Sequence, residues 1–459
     1  MILKGKKVLV YGTGLSGVAA AKLLLKLSAN VVIYDEKPVK DKGKLEELGL
    51  LEIVSGDLPV ELVKDLDLAV LSPGVPLDIP QVALLESENV PIWGEVELAY
   101  RAGKGDVLAI TGTNGKTTTT ALLGEIMKAY HEETYVVGNI GNPYANIALK
   151  TTDDSIIVAE TSSFQLETIQ EFKPKVSSIL NITPDHLDRH KTMELYIASK
   201  EKIAENQDED DVCVLNYDDL NSRNYAPRVK AQVVFFSKEV EFEKGVFLKN
   251  AKVCPFSKGL PSGNIVSTLE GEELVCEVDE LKVLGIHNLE NVMAAIAMAR
   301  AYGVPVALIR EVVKEFKGVA HRIEFVLEKN GVVYYNDSKG TNPDAAIKGV
   351  EAMTRPTILI GGGYDKDAEY EEWIGSFENK VKKLVLVGET KETIAKVARG
   401  LGFEEFVLVD TFDEAVKLSI SLGEPGDAVL LSPACASWGM FENYEERGNR
   451  FKELVKILA

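Results

Sequence analysis

Residues 109–120 read AITGTNGKTTTT and place a glycine-rich loop between an apolar strand and the start of a helix. Gly112, Gly115, Lys116 and Thr117 form the pattern G-x-x-G-K-T, a shortened P-loop that lacks a further glycine two residues before Gly112. Glycines let backbone N–H groups close around a phosphate at the positive end of a helix. The lysine and threonine of such loops contact the phosphates and Mg²⁺. The stretch therefore predicts an ATP-binding α/β domain, in preference to a glycine-rich turn with an incidental lysine.

A second glycine-rich loop lies in KVLVYGTGLSG, residues 7–17, where G-x-G-x-x-G follows an apolar run. The next apolar run, VVIYDE, carries Asp35 near its end. This spacing is typical of a βαβ unit whose glycines let the backbone approach a diphosphate. An NAD-dependent oxidoreductase would explain this loop but not the one at 109–120. The glycines identify a diphosphate, and a UDP-sugar carries one as NAD does.

Composition narrows the classes of function. The chain has 459 residues, with 51 lysines and arginines against 71 aspartates and glutamates, and a formal net charge of -20. Such a balance argues against nucleic-acid or anionic-membrane binding, which needs basic surfaces. The four cysteines show no C-x-x-C spacing, and the chain has neither a signal peptide nor an apolar run of membrane-spanning length. We therefore expect a cytoplasmic protein.

Short β-branched runs alternate with helical patterns along the chain, which predicts α/β domains with parallel sheets. We expect a Rossmann-like N-terminal domain over 1–96, a central P-loop-type ATPase domain over 97–316 and a Rossmann-like C-terminal domain over 317–459. Short alternating runs between 211 and 285 predict a small antiparallel sheet attached to the central domain. The Asn-Gly pair at 330–331 predicts the turn of a β-hairpin.

Polar residues follow several of the predicted strands. Glu160 ends the run SIIVAE, and His186 follows VSSILNIT. Alone, each would more often be a solvated strand end or a structural histidine. Since the carboxyl ends of parallel strands meet at one edge, both are expected to converge with the loop at 109–120. A carboxylate there suits Mg²⁺.

Further polar loops occupy the C-terminal half. LGIHNLEN places Asn288 and Asn291 near a helix start, where N-capping is the alternative role. Three more loops combine glycine with charged or hydroxyl residues at strand ends, where ordinary αβ-loop chemistry is the alternative. These loops contribute Asp337, Lys339, Thr341, Asn342, Lys366 and Ser437.

Together these strings resemble the Mur ligase family of bacterial cell-wall synthesis over the whole chain, and within it the branch that adds D-glutamate. The D-N-P-R motif of the diamino-acid-adding branch is absent. The strings that carry the resemblance are GTGLSG, SPGVP, ITGTNGKTT, GNIGNP, ETSSFQLE, DHLDRH, HNLEN, NDSKGTNP and SPACASWGMFENYEERG.

The resemblance implies a catalytic group of Lys116, Glu160, His186 and Lys200. It implies two Mg²⁺ ions held by Thr117, Glu160, His186 and Lys200, the last as a carbamate. The residues implied to bind ATP are Gly112, Thr113, Asn114, Gly115, Lys116, Thr117, Thr118, Asn288, Asn291, Arg322, Asp337 and Lys339.

The resemblance also assigns the two other substrates. Tyr444 stands where this branch often has phenylalanine. The residues implied to hold the UDP-substrate are Gly14, Leu15, Ser16, Asp35, Glu36, Lys37, Ser72, Pro73, Gly74 and Asn139. The residues implied to hold D-glutamate are Thr341, Lys366, Ser437 and Tyr444.

The implied reaction joins D-glutamate to UDP-N-acetylmuramoyl-L-alanine. The substrate carboxylate attacks the γ-phosphate of ATP, and the amine of D-glutamate then displaces phosphate from the acyl phosphate. The protein contributes mainly positioning and electrostatics, with domain closure completing the site. We expect a monomer. The alternatives are an oxidoreductase, another Mur-type ligase, a folylpolyglutamate synthase and a non-catalytic nucleotide-binding regulator.

Overall fold

The structure, a computed structural model, describes residues 3–39, 42–252, 261–365 and 368–459. The chain divides into two compact units. The first comprises Met1–Leu248, Val266–Glu273 and Glu290–Ile309, and the second comprises Lys249–Ile265, Leu274–Leu289 and Arg310–Ala459. Among the described residues, no helix combines the length and apolar character needed to cross a membrane.

The N-terminal segment forms a five-stranded sheet in the order β3-β2-β1-β4-β5, in which the neighbouring strands pair in parallel. The apolar runs within KVLVYGTGLSG and VVIYDE correspond to two of its inner strands, β1 and β2. The strands are β1 Lys7–Tyr11, β2 Asn30–Asp35, β3 Glu52–Ser55, β4 Leu68–Leu71 and β5 Ile92–Gly94. The helices are α1 Leu15–Lys26, α2 Lys42–Glu46, α3 Val60–Lys64, α4 Pro80–Ser87 and α5 Glu95–Ala102.

The central segment forms a nine-stranded sheet in the order β14-β13-β12-β11-β10-β9-β6-β8-β7. Its strands are β6 Asp106–Thr111, β7 Thr134–Gly138, β8 Ile156–Glu160, β9 Val176–Ile179, β10 Val212–Asn216, β11 Gln232–Ser237, β12 Gly245–Lys252, β13 Ser262–Ser267 and β14 Glu273–Glu277. Its helices are α6 Lys116–Tyr130, α7 Ser163–Leu166, α8 Leu187–His190, α9 Met193–Glu201, α10 Leu220–Tyr225, α11 Ile286–Ala301 and α12 Val306–Glu315.

The prediction of a small antiparallel sheet attached to the central domain is wrong for β11 and β12. Both strands extend the central sheet, and β10–β11 and β11–β12 pair in parallel. The β11–β12 pairing covers only Phe235–Ser237 against Gly245–Phe247. Because the two strands overlap by only three residues, the chain has to run back by only about 10 Å before β12 begins. The short segment 238–244 covers this distance without a helix.

Helix α5 ties the N-terminal and central sheets into the first unit. The buried carboxylate of Glu97 accepts hydrogen bonds from the backbone N–H groups of Gln170, Glu171 and Phe172, at 2.9, 2.9 and 3.0 Å. Arg101 pairs with the same carboxylate. One apolar cluster is continuous from the first sheet through α5 to the central sheet.

The second unit contains a six-stranded sheet in the order β15-β16-β20-β17-β18-β19. Its strands are β15 Glu324–Lys329, β16 Val332–Asn336, β17 Thr357–Gly361, β18 Val381–Leu386, β19 Phe406–Leu408 and β20 Ala428–Leu431. Its helices are α13 Pro343–Glu351, α14 Glu371–Gly375, α15 Lys391–Gly400, α16 Phe412–Leu422 and α17 Tyr444–Leu458.

Strands β15 and β16 form the predicted hairpin, the antiparallel pair in this otherwise parallel sheet. Asn330 and Gly331 both adopt positive φ, at 55° and 77°, as the turn of a two-residue hairpin requires. The prediction of an α/β protein with parallel sheets is confirmed.

Candidate active site

The carboxyl ends of four central strands lie side by side. Strand β6 pairs in parallel with both β8 and β9, and β7 pairs in parallel with β8. The residues that follow carry the predicted site: Gly112–Thr118 after β6, Asn139 after β7, Glu160 at the end of β8 and His186 after β9. The topology therefore brings these residues to one edge, where ligands bind in open parallel sheets.

The loop after β6 requires its glycines. Gly115 has φ +86°, and a Cβ there would lie 2.1 Å from Oδ1 of Asn291. Gly112 has φ +154°, and its Cβ would lie 3.0 Å from that of Leu180. Gly115 is also the N-cap of the 15-residue helix α6. The first backbone N–H groups of a helix lack intrahelical partners, so this loop presents donors suited to a phosphate.

The loop after β9 holds the loop after β6 in place. Asn114 N–H donates to Oδ1 of Asn181 at 2.9 Å, and Nδ2 of Asn181 donates to the carbonyl of Asn114 at 3.1 Å. Thr113 Oγ1 accepts the N–H of Thr183 at 3.1 Å and lies 3.1 Å from the hydroxyl of Tyr196. The glycine loop is thus fixed by hydrogen bonds on both its backbone and its side chains.

Two lysines converge on the same loop. Lys116 Nζ donates to the carbonyls of Gly112 and Thr113, each at 2.9 Å. Lys200 is only 1% exposed, and its Nζ donates to the Gly112 carbonyl at 2.7 Å. Burial and the nearby Lys116 ammonium, partly opposed by Asp185, together lower the pKa of Lys200 to about 7. At neutral pH much of Lys200 is therefore an uncharged amine.

Glu160 supplies a buried carboxylate at the end of β8. Its Oε1 accepts a hydrogen bond from Nδ2 of Asn139 at 3.0 Å. Its Oε2 is buried without a hydrogen-bond partner in the described part of the chain. An oxygen left in this state, beside the threonine-bearing glycine loop, fits a hard divalent cation such as Mg²⁺.

Among the described residues, the side chains around His186 do not form a metal-binding cluster. His186 is half exposed, lies 3.5 Å from an Asp185 carboxylate oxygen and contacts Phe164 in a tilted arrangement with ring centroids 5.0 Å apart. Within the described ranges, no group of three or more histidine, cysteine or acidic side chains is arranged to hold a metal. The metal ligands that the family resemblance implies also include Thr117 and a carbamylated Lys200, which are not among these residue types.

Sequence reasoning missed two neighbours of His186. His190 is buried, with Nε2 3.0 Å from Ser163 Oγ and Nδ1 3.4 Å from Glu167. Arg189 donates to Glu167 at 2.7 Å and to the carbonyl of Val75 at 2.9 Å. The string DHLDRH contained both residues, but nothing in it distinguished buried from exposed members.

The first sheet shows which glycines serve packing. A Cβ on Gly17 would lie 2.0 Å from the Gly12 carbonyl, and one on Gly12 would lie 2.6 Å from Ser72 Oγ. Gly14, the N-cap of α1, would meet nothing within 4 Å. The fold therefore needs Gly12 and Gly17, whereas the space beside Gly14 is open.

Asp35 is the last residue of β2, at the carboxyl edge of the first sheet. Its carboxylate accepts hydrogen bonds from Thr13 N–H at 3.1 Å, Thr13 Oγ1 at 2.7 Å and Lys37 N–H at 3.1 Å. Tyr11 donates to the Glu36 carboxylate. The other predicted residues here are exposed or half-buried: Leu15, Ser16, Lys37, Ser72, Pro73 and Gly74.

In the second unit, the predicted residues follow β16 and β20, which pair in parallel. Asp337 is 4% exposed and accepts Ser432 Oγ at 2.7 Å and Ile323 N–H at 3.2 Å. Burial raises the pKa of Asp337 to about 7, against the lowering effect of these hydrogen bonds and of Arg322. Arg322 itself is exposed.

The loops that follow β16 and β20 place a lysine beside an aromatic ring. Lys339 Nζ lies 5.5 Å from the ring centroid of Tyr444, and Ser437 is buried. Thr341 N–H donates to the Lys339 carbonyl at 2.8 Å. Asn342 caps α13, which is the alternative role open to it. Lys366 lies outside the described residues.

The two asparagines of α11 fall into different units. Asn291 packs against Gly115 in the first unit. Asn288 belongs to the second unit, where its Nδ2 donates to the Leu284 carbonyl at 2.7 Å.

Comparison with known proteins matches three family models in succession. Residues 6–94 match the Mur ligase MurD-like N-terminal domain, 110–299 the Mur ligase middle domain and 321–435 the Mur ligase glutamate ligase domain. The chain is 51% identical to the UDP-N-acetylmuramoylalanine–D-glutamate ligase of Lachnospira eligens, covering 100% of both chains. It is also 51% identical to the enzyme of that name from Lachnoclostridium phytofermentans, covering 99% and 98%.

Solved structures share the fold. MurC of Thermotoga maritima has a TM-score of 0.59 at 21% identity, covering 98% of this chain and 99% of that one. MurF of the same organism, in complex with ADP, has a TM-score of 0.58 at 18% identity, covering 100% and 96%. With three successive family models and full-length relatives at 51% identity, the chain belongs to the Mur ligase family.

Proposed function

We propose that this protein is an ATP-dependent ligase that joins D-glutamate to UDP-N-acetylmuramoyl-L-alanine in peptidoglycan precursor synthesis. The observation that carries the proposal is the 51% identity over the full chain to ligases of that name. The geometry agrees, because the edge of the central sheet combines a phosphate loop with a buried lysine and a buried carboxylate.

The first sheet is proposed to hold the UDP part of the substrate. Gly14 opens helix α1 with free space beside it, so backbone N–H groups can approach a diphosphate. Asp35 is already engaged by Thr13 and Lys37. The loop serves as a handle for the substrate, and no redox chemistry is needed. Leu15, Ser16 and the segments 35–37 and 72–74 would surround the nucleotide, with Asn139 near the muramoyl end.

The loop Gly112–Thr118 is proposed to bind the ATP phosphates. Lys116 neutralises charge on the transferring phosphoryl group while the substrate carboxylate attacks the γ-phosphate, so that an acyl phosphate forms and ADP leaves. The amine of D-glutamate then attacks the acyl carbon, and phosphate leaves from the tetrahedral intermediate. Little covalent chemistry falls to the protein, so positioning and electrostatics supply the rate. Asn291 supports the loop by packing on Gly115.

We assign Mg²⁺ to Thr117 and Glu160, with His186 and carbamylated Lys200 serving a second ion. When bound, Mg²⁺ neutralises charge on the phosphates. The unpartnered Oε2 of Glu160 supports this assignment. The low pKa of Lys200 supports the carbamate, because only the neutral amine adds to carbon dioxide, with release of one proton.

In the second unit, the loops after β16 and β20 are proposed to bind D-glutamate. Its carboxylates need positive charge, which a chain of net charge -20 must gather locally. The proposed set is Thr341, Ser437, Tyr444 and Lys366, and Lys366 supplies this charge. Arg322, Asp337, Lys339 and Asn288 keep the nucleotide role that the family resemblance implies.

The finer organisation is also a proposal. We place domain boundaries at 96 and 316 and describe the outer domains as Rossmann-like and the central one as P-loop-type, which the strand orders support. We further propose a cytoplasmic monomer that supports cell shape and division, because its nucleotide substrates are cytoplasmic and one chain carries all the assigned residues.

Phosphate release from Mg-ATP and UDP-N-acetylmuramoyl-L-alanine tests the proposal, with D-glutamate, L-alanine, L-lysine or diaminopimelate offered in turn. D-glutamate should stimulate release above the others, and Lys116→Ala should abolish it. Equal responses to all four amino acids would overturn the assignment. A change in NAD(H) fluorescence on mixing would favour the oxidoreductase instead.

A further inference from the structure

Arg447 is a charged side chain with no exposed surface. It lies in the first turn of α17 in the second unit. Its guanidinium donates through Nε to Ser338 Oγ at 3.0 Å, through Nη2 to the Ser338 carbonyl at 2.8 Å and through Nη1 to the Cys435 carbonyl at 3.1 Å. A buried ion is destabilising unless it is extensively hydrogen-bonded, so this arrangement is specific.

The partners of Arg447 belong to two different loops. Ser338 follows β16, one residue before Lys339, and Cys435 follows β20, two residues before Ser437. Ser338 Oγ donates in turn to the Tyr444 carbonyl at 2.8 Å. One guanidinium therefore joins the two loops and the start of α17.

Backbone strain marks the second loop. Ala434 adopts φ +57°, a conformation that is unfavourable outside glycine and persists only where the surroundings enforce it. The carbonyl of the next residue, Cys435, accepts the hydrogen bond from Nη1 of Arg447. Helix α17 is itself closely seated, since a Cβ on Gly448 would lie 2.1 Å from His321 Nδ1.

We propose that Arg447 is a positioning residue whose planar fork holds the Lys339 loop and the Ser437 loop at a fixed separation for the dicarboxylate amino acid. The inference rests on the proposed D-glutamate site. Lysine cannot reproduce the fork, because it offers one point charge in place of donors in two fixed directions.

The experiment measures steady-state kinetics of Arg447→Lys. The KM for D-glutamate should rise by about tenfold or more, because two or three charge-assisted hydrogen bonds are disturbed. The KM for the UDP-substrate should stay unchanged, since its assigned residues lie in the other unit. Arg450→Lys is the matched control: Arg450 lies on the same helix but pairs with Asp413 and Glu453 at the surface.

A purely structural role has a different signature. Destabilisation lowers the amount of active enzyme and hence the apparent kcat, without moving the KM for D-glutamate. An unchanged KM in folded Arg447→Lys would therefore overturn the inference. If that variant does not fold, Ser338→Ala decides, since it removes the hydroxyl shared by Arg447 and Tyr444. Its KM for D-glutamate should rise several-fold, by about the effect of one lost hydrogen bond, and an unchanged value would overturn the inference.

Phosphate release by the wild-type protein distinguishes a failure of this inference from a failure of the proposed function. If D-glutamate does not stimulate phosphate release in the wild type, the function fails. If the wild type responds and the KM of the variants does not move, the positioning role fails alone. The double variant combines Arg447→Lys with Ser338→Ala. If its KM for D-glutamate is no higher than that of the more impaired single variant, the two residues act as one unit. If the two effects multiply, the residues act independently and the positioning role is overturned.

Discussion

The side-chain nitrogen of Lys200 lies 2.7 Å from the carbonyl oxygen of Gly112, which joins a buried amine of α9 to the phosphate loop. Among the described residues, no charged group lies at that distance from Lys200, and burial together with the nearby Lys116 disfavours its protonation. The pair thus places a reactive amine beside the site proposed for the nucleotide.

Lys200→Ala should lose activity. We expect kcat to fall by about a hundredfold or more, the scale of a lost electrostatic group at a transferring phosphoryl. Added bicarbonate or a short carboxylate should restore part of it by occupying the space of the missing carbamate. Lys104→Ala, at an exposed lysine paired with Asp153, is the control. Full activity in Lys200→Ala would exclude the carbamate.

Carbamylation should depend on pH. The pKa of Lys200 is lowered to about 7, so the neutral amine falls by about tenfold for each pH unit below that value. At constant dissolved ¹³CO₂, the carbamate signal in the ¹³C NMR spectrum should rise between pH 6 and 8. Lys200→Ala serves as the blank. A signal that does not change with pH would contradict the assignment.

Glu160→Gln should weaken the response to Mg²⁺. The amide keeps an oxygen for Asn139 but lacks the charge of the buried Oε2. The Mg²⁺ concentration for half-maximal rate should rise by about tenfold or more, the scale on which altered metal sites act. Glu132→Gln changes an exposed carboxylate and should leave the titration unchanged. Equal Mg²⁺ titrations for Glu160→Gln and the wild type would refute the role.

Alanine substitutions at two glycines of the loop at 7–17 should have different effects. Gly17→Ala should lower the melting temperature, because its Cβ would lie 2.0 Å from a backbone oxygen. Gly14→Ala should fold normally, since its Cβ meets nothing and its φ of -73° is open to any residue. Its KM for the UDP-substrate should rise by about tenfold, equivalent to 1.4 kcal/mol. Thermal melts and kinetics of both variants test this, and the reverse pattern would contradict it.

The fold was predictable where local chemistry repeats. Alternating apolar runs predicted the parallel sheets, and Asn330–Gly331 predicted the hairpin from its backbone preference. The sheet around 211–285 was predicted incorrectly at β11 and β12. Their apolar pattern is the same for parallel and antiparallel pairing, and the decisive fact is that only three residues overlap.

The candidate site was predictable only in part. The glycine loop and Glu160 are recognisable because they end apolar strands. Lys200 resembles a solvated helix residue in sequence, and only the family resemblance singled it out before its burial was known. Arg447 and His190 have no local pattern, since the groups they bind are distant in the chain.

The reciprocal hydrogen bonds between Asn114 and Asn181 have a consequence for nucleotide affinity. Ordering one residue of a flexible loop carries an entropic penalty of about 1–2 kcal/mol. Because these bonds and those of Thr113 already order the loop in the folded protein, that penalty is met during folding and not on association. More of the energy of each phosphate contact therefore remains as binding affinity.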